Sequence, residues 1–255
     1  MINRQIALGM YSLDGRLLQA WRSLFIQASN FYPDIDIPKV VVNSIEDLVI
    51  LDNNTCISHI CGLPLLDRFS KCLIPLCAPQ FNIPGVSGPH YFSYYVVRHD
   101  STMKSVVDAK GRIFAANSLC SNSGLNVLRH EIKAVLNVSV EDFFSKIHYT
   151  GSHHLSIQSI IEGVSEFAAI DAATYEYLCV THPVYRTKLR IIGQSHQSTA
   201  PPLVAHKGGP FCNSQLLTDA LNSALNSLDQ VTRNTLNIRQ FHKVKLDDYT
   251  SQILD

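Results

Sequence analysis

Short apolar runs alternate along this chain with longer stretches in which apolar residues recur every three or four positions. The first pattern predicts buried strands and the second amphipathic helices. Ile2–Met10 reads as a strand, and Gly15–Asn30 as a helix burying Leu17, Leu18, Trp21, Leu24, Phe25 and Ala28. Lys39–Val42 is a short strand, Ser44–Leu51 a helix, and Thr55–Ile60 and Leu73–Leu76 buried strands. Pro79, Pro84, Gly85, Gly88 and Pro89 mark 78–90 as a loop or crossing segment, because both residue types punctuate regular structure. Tyr91–Arg98 is an aromatic and β-branched strand, and helix, strand and helix follow up to Leu136.

The alternation continues through the second half. Ile147–Tyr149, Phe167–Ile170, Leu189–Ile192 and Leu203–His206 read as strands, and His153–Ile161 and Ala172–Leu178 as helices. Residues 213–228 are strongly periodic through Leu216, Leu217, Ala220, Leu221, Ala224, Leu225 and Leu228. This order predicts an α/β protein with mostly parallel sheets.

One junction carries candidate chemistry. Ser118-Leu119-Cys120-Ser121-Asn122-Ser123-Gly124-Leu125 follows the apolar run Arg112–Ala116 and opens a helix with Leu125, Leu128, Ile132, Val135 and Leu136 on one face. The first turn of a helix has backbone N–H groups without intrahelical partners and the positive end of the helix dipole. A Ser-rich turn at such a place suits an anion, although Ser and Asn also cap helices that bind nothing.

Composition narrows the function classes. The chain has 255 residues, 46% hydrophobic and 16% charged, with Lys+Arg and Asp+Glu both at 21. That favours two modest lobes or one large domain over a disordered chain. The absence of a dense basic run argues against a nucleic-acid partner, and no apolar stretch approaches the ~20 residues that span a bilayer. The seven cysteines (56, 61, 72, 77, 120, 179 and 212) sit mostly in apolar runs, so buried thiols are expected rather than a zinc site or a disulfide framework. The eleven histidines are scattered, and no nucleotide-binding glycine loop, zinc-protease motif or nucleophile elbow is present; no cofactor or metal is expected. Asp14 and Arg16 interrupt any signal-like apolar region at the N-terminus. As it stands the sequence reads as cytoplasmic, or as periplasmic if an export signal is missing from this version.

Several strings, taken in order, resemble the PhnD-like phosphate/phosphite/phosphonate-binding proteins of ABC transporters. They are Met10-Tyr11, Cys61-Gly62-Leu63-Pro64, Gly88-Pro89-His90-Tyr91-Phe92-Ser93 and Asp108-Ala109-Lys110-Gly111-Arg112. The series continues with Asn117–Gly124, Tyr149-Thr150-Gly151-Ser152-His153 and Ala168-Ala169-Ile170-Asp171. The chain departs from the family pattern at Ile60-Cys61-Gly62 and at Asn122 between the two serines.

The resemblance implies a two-lobed type II periplasmic-binding-protein-like fold with two interlobe crossings. Lobe I would hold 1–93 and 195–255, lobe II 94–194, and a hinge would lie near Tyr91–Val96 and Ile192–Ser198. It implies Tyr11, Tyr91, Ser121, Asn122, Ser123, His153 and Asp171 as ligand-binding residues, with a small phosphonate-like anion as ligand. The tyrosines equally suit a core, and His153 and Asp171 equally suit helix starts. An ABC-transporter permease or a signalling partner would complete the implied partners. The alternatives are a cytoplasmic enzyme on the same scaffold, resembling chorismate dehydratase, and a ligand sensor.

Overall fold

The computed structural model describes residues 5–33, 37–38, 40–43, 55–211 and 213–253. The helix expected at 44–51 and Cys212 lie outside these residues. In chain order the strands are β1 Gln5–Leu8, β2 Val40–Asn43, β3 Thr55–His59, β4 Leu73–Phe81, β5 His90–Tyr91, β6 Ser93–Arg98 and β7 Ile113–Ala116. They continue as β8 Lys146–Tyr149, β9 Phe167–Asp171, β10 Leu189–Gln194, β11 Ser198–Thr199, β12 Leu203–His206 and β13 Ile238–Lys243. The longer helices are α1 Gly15–Phe31, α2 Val127–Leu136, α3 His153–Ile161, α4 Ala172–Thr181, α5 Ser214–Ser227 and α6 Gln230–Leu236.

The chain forms two compact units, Met1–His90 with Thr199–Ser251, and Tyr91–Ser198 with Gln252–Asp255. The first is built on a sheet ordered β13-β4-β12-β3-β1-β2. Asp14 caps α1 by accepting from the Leu17 N–H (2.9 Å), and α1 buries Leu17, Ala20, Trp21, Leu24, Phe25 and Ala28. Ala20 thus takes the place expected for Leu18, which is half-exposed. α1 packs against α5 and α6.

The segment expected to be a loop at 78–90 is strand as far as Phe81. Proline lacks the N–H that a sheet ladder needs and is tolerated at irregularities. Pro75 and Pro79 face Val204 and Phe241 across antiparallel pairings whose registers both shift. Only beyond Phe81 does the chain turn, through Gly85 and Gly88 at φ 84° and 62°.

The second unit is built on a sheet ordered β10-β6-β9-β7-β8. Alternate residues of its strands point to opposite faces. Tyr95, Val97, Phe114, Ala116, Phe167 and Ala169 enter one buried cluster, closed by Leu125, Leu128 and Ile132. Val96, Ala115, Ala168 and Ile170 enter the other, closed by Ile157, Ile160, Tyr175 and Leu178. With both faces covered the strands read as continuous apolar runs. Val135 and Leu136 lie beyond the cluster and are exposed, as α2 ends in the left-handed Asn137 (φ 54°).

Both sheets are mixed, not mostly parallel. β1 runs parallel to β2 and β3, and β7 to β8 and β9. β12 and β13 enter the first sheet antiparallel, and β6 and β10 do so in the second. β5 and β11, where the chain passes between units, form a two-stranded ladder. Cys61, Cys77 and Cys179 are buried, and burial pushes the Cys77 thiol up to about 12. Cys72 departs from the expected burial. It is exposed, with its Sγ 3.5 Å from the Phe69 carbonyl oxygen.

Candidate functional site

The carboxyl ends of three neighbouring parallel strands bring the candidate residues of the second unit to one edge of its sheet. β7 ends at Ala116 and leads into the Ser-rich turn, β8 ends at Tyr149 and leads to His153, and β9 ends at Asp171. Open α/β sheets bind ligands beyond the carboxyl ends of their strands, where loops and helix N-termini converge.

The turn is a local product of its sequence. Ser121 Oγ accepts from the Gly124 N–H (2.9 Å), and the Asn126 N–H donates to the Ser121 carbonyl (3.0 Å). The second bond spans five residues, so Asn122–Asn126 is a π-helical turn running straight into α2. A single π turn at the start of a helix is a recurrent device of functional sites. Gly124 is required there, since a Cβ would fall on the Asn117 carboxamide. Asn117 Oδ1 is itself buried without a hydrogen-bond partner.

Hydrogen bonds join most of the candidate residues. Ser123 Oγ lies 2.9 Å from His153 Nε2, and Ser93 Oγ donates to the Ser123 carbonyl (2.8 Å). Asn122 Nδ2 donates to the Tyr91 hydroxyl (2.9 Å), and Asn122 Oδ1 accepts from Asn126 Nδ2 (2.9 Å). Asn122 is 1% exposed, so its side chain is built into the protein on both ends. Asp171 Oδ1 accepts from the Thr174 N–H (2.7 Å), which makes it the N-cap of α4. Its strand position faces Ser93 of β6.

His153 opens α3 behind the cap made by Ser152, whose Oγ accepts from the Leu155 N–H (3.1 Å). Its Nδ1 is buried without a hydrogen-bond partner. Burial lowers its pKa to about 4, because a low-dielectric setting disfavours the charged ring. His153 is therefore a neutral imidazole at neutral pH. The turn offers hydroxyls, N–H groups and one neutral ring, a set that can hold an anion by dipoles.

Tyr11 belongs to the first unit, just past the carboxyl end of β1. It sits at φ 50°, a conformation that strains a bulky residue. Trp21 Nε1 donates to its carbonyl (2.7 Å), and its ring lies against Phe81 and His59 at centroid distances of 4.6 and 5.3 Å.

Sequence reasoning missed Ser93, Asn117 and Asn126 as parts of this arrangement. For Asn126 a signal existed: an amide side chain four residues after Asn122, between the buried Leu125 and Leu128. For Asn117, the signal was its place directly after an apolar strand that leads into the Ser-rich turn. Among the described residues no group of three or more His, Cys, Asp or Glu could hold a metal ion. No described helix is long and apolar enough to cross a membrane.

Comparison with known proteins follows the same lines. PhnD1 from Prochlorococcus marinus, solved in complex with methylphosphonate, superposes with a TM-score of 0.75 at 15% identity, over 97% of this chain and 94% of that one. A binding protein component of a phosphonate ABC transporter from Pseudomonas aeruginosa gives 0.71 at 17% identity, over 96% and 82%. A Xanthomonas citri protein bound to ATP gives 0.68 at 12%, over 99% and 97%. At these identities the likeness shows the fold, the two-lobed type II periplasmic-binding architecture. No curated protein matches the sequence. The model of the family described as ABC transporter, phosphonate, periplasmic substrate-binding protein matches residues 80–249. The chain belongs to this phosphonate-binding family of ABC-transporter substrate-binding proteins.

Proposed function

We propose that this protein captures a small phosphorus oxyanion, a phosphonate or a phosphate ester, at the Ser121–Gly124 turn and hands it to an ABC-transporter permease at the periplasmic face of a membrane. The carrying observation is the convergence of hydroxyl, N–H and neutral imidazole groups at the carboxyl ends of β7, β8 and β9. Ser121 and Ser123 donate to the oxyanion, and His153 orients Ser123. Asp171 favours a ligand carrying a protonated oxygen or an amine, since a carboxylate beside an anion is otherwise repulsive. The binding of methylphosphonate by PhnD1 supports the ligand class. The ATP held by the Xanthomonas protein makes a phosphate ester a second probe.

Calorimetric titration with methylphosphonate, phosphate, ATP and sulfate tests the reading. Binding of at least one phosphorus oxyanion in preference to sulfate, with the ligand recovered unchanged, is the expected result. Indifference to all three phosphorus compounds would overturn it, and turnover of the bound compound would instead favour an enzyme.

A further inference from the structure

We propose that Asn126 is the positioning residue of the oxyanion turn, and that the C-terminal segment Leu246–Gln252 is part of the binding apparatus because it anchors Asn126. The proposal rests on the reading that the Ser121–Gly124 turn holds the anion.

Asn126 Nδ2 carries two hydrogens, and both are used. One goes to Asn122 Oδ1 (2.9 Å) and one to the Gln252 carbonyl (2.7 Å). His130 Nε2 lies 3.4 Å from the same carbonyl. Asn122 passes the constraint on to the Tyr91 hydroxyl. Asn126 and Gln252 are 4% and 2% exposed, so water does not replace these bonds. An amide buried this deeply is costly unless both of its ends are paired.

The last helical segment is a 3₁₀ stretch, Leu246–Gln252, with further hydrogen bonds along it. The Tyr249 hydroxyl donates to the Ala200 carbonyl (2.9 Å), and Thr199 Oγ1 donates to the Asp248 carbonyl (2.6 Å). A segment 120 residues downstream thus holds the amide that holds the turn. Loosening either end frees the other, and by linkage an anion that orders the turn must also order this segment.

The test uses Asn126→Asp, which offers oxygen where two hydrogens were donated, and Tyr249→Phe, which releases the segment without touching the turn. Val231→Ala, on the exposed face of α6 and outside both segments, is the control. In ligand-free protein, Asn126→Asp should speed amide exchange about tenfold or more in both 121–126 and 246–252, with Phe167–Ile170 unchanged. Methylphosphonate should bind Asn126→Asp about tenfold or more weakly, Tyr249→Phe several-fold more weakly, and Val231→Ala within about twofold of wild type. In wild type it should slow exchange in 246–252. Faster exchange confined to one segment, or wild-type affinity in both variants, overturns the proposal. Should Asn126→Asp fail to fold, Tyr249→Phe decides both readouts. Should methylphosphonate not bind wild type, the ligand reading fails while the exchange comparison still judges the coupling.

Discussion

A serine hydroxyl has one hydrogen to give, and at Ser123 the direction of that bond matters. The neutral His153 ring carries one proton. If Nε2 holds it, the ring donates to Ser123 and leaves the serine hydrogen for an anion. If Nδ1 holds it, Ser123 spends its hydrogen on the ring. An arriving oxyanion favours the first arrangement, so His153 works through Ser123. Ser123→Ala should then weaken methylphosphonate binding by about 1.5–3 kcal/mol, roughly ten- to hundredfold, on top of the stability lost by leaving His153 Nε2 unpaired. Ser121 is different, because its Oγ already accepts from the Gly124 N–H. Ser121→Ala should cost about 0.5–2 kcal/mol in stability as well as affinity. Titration and thermal melts on the two variants separate these roles. Equal affinity of Ser123→Ala and wild type would reduce the turn to a cap.

At the scale of elements, the strand–helix alternation was legible because the second sheet is covered on both faces and its strands are apolar throughout. The turn was legible as a strand-to-helix junction, since serine is a favoured cap between an apolar strand and a helical period, and Ser121 caps it. The second half of β4 was not, because Pro79 imitates a loop until its antiparallel partner and register shift are known. Nor were α6 and β13, which lie beyond the last clear periodicity. The least legible part was Asn126 with Gln252, whose pairing spans 126 residues and leaves no local pattern. One contact between elements yields a direct prediction. Asn117, at the end of β7, lies so close over Gly124 that no side chain fits between them. Gly124→Ala must displace the Asn117 carboxamide or shift the turn, a loss of about 1–3 kcal/mol by overpacking. Denaturant unfolding should register that loss. Gly111→Ala, with open space at its Cβ but φ at 74°, should lose only backbone strain, about 1–2 kcal/mol.

For the whole molecule, the two units share an acid sensitivity that arises separately in each. His59 in the first unit is fully buried, with Nε2 3.0 Å from the Pro201 carbonyl oxygen and Nδ1 without a partner. Burial lowers its pKa to about 4, as it does for His153 in the second unit. Unfolding returns each ring to its usual value near 6.5. Between those limits the unfolded chain binds more protons than the folded one, so stability rises with pH there. It is full above pH 6.5, is lost progressively as pH falls towards 4, and levels off below. At pH 5 the loss is on the order of 2 kcal/mol per histidine. Urea unfolding from pH 8 to 5 should show this decline, and replacing His59 by a non-titrating isostere such as Asn should remove roughly half of it. Because His153 orients Ser123, methylphosphonate affinity should follow the ligand's own second ionisation near neutral pH and the protonation of His153 towards pH 4, and not that of His59. His59→Asn should flatten the stability profile while leaving the pH profile of binding as in wild type. A binding profile that changed with His59 would mean that the first unit reports the pH of its core to the oxyanion turn.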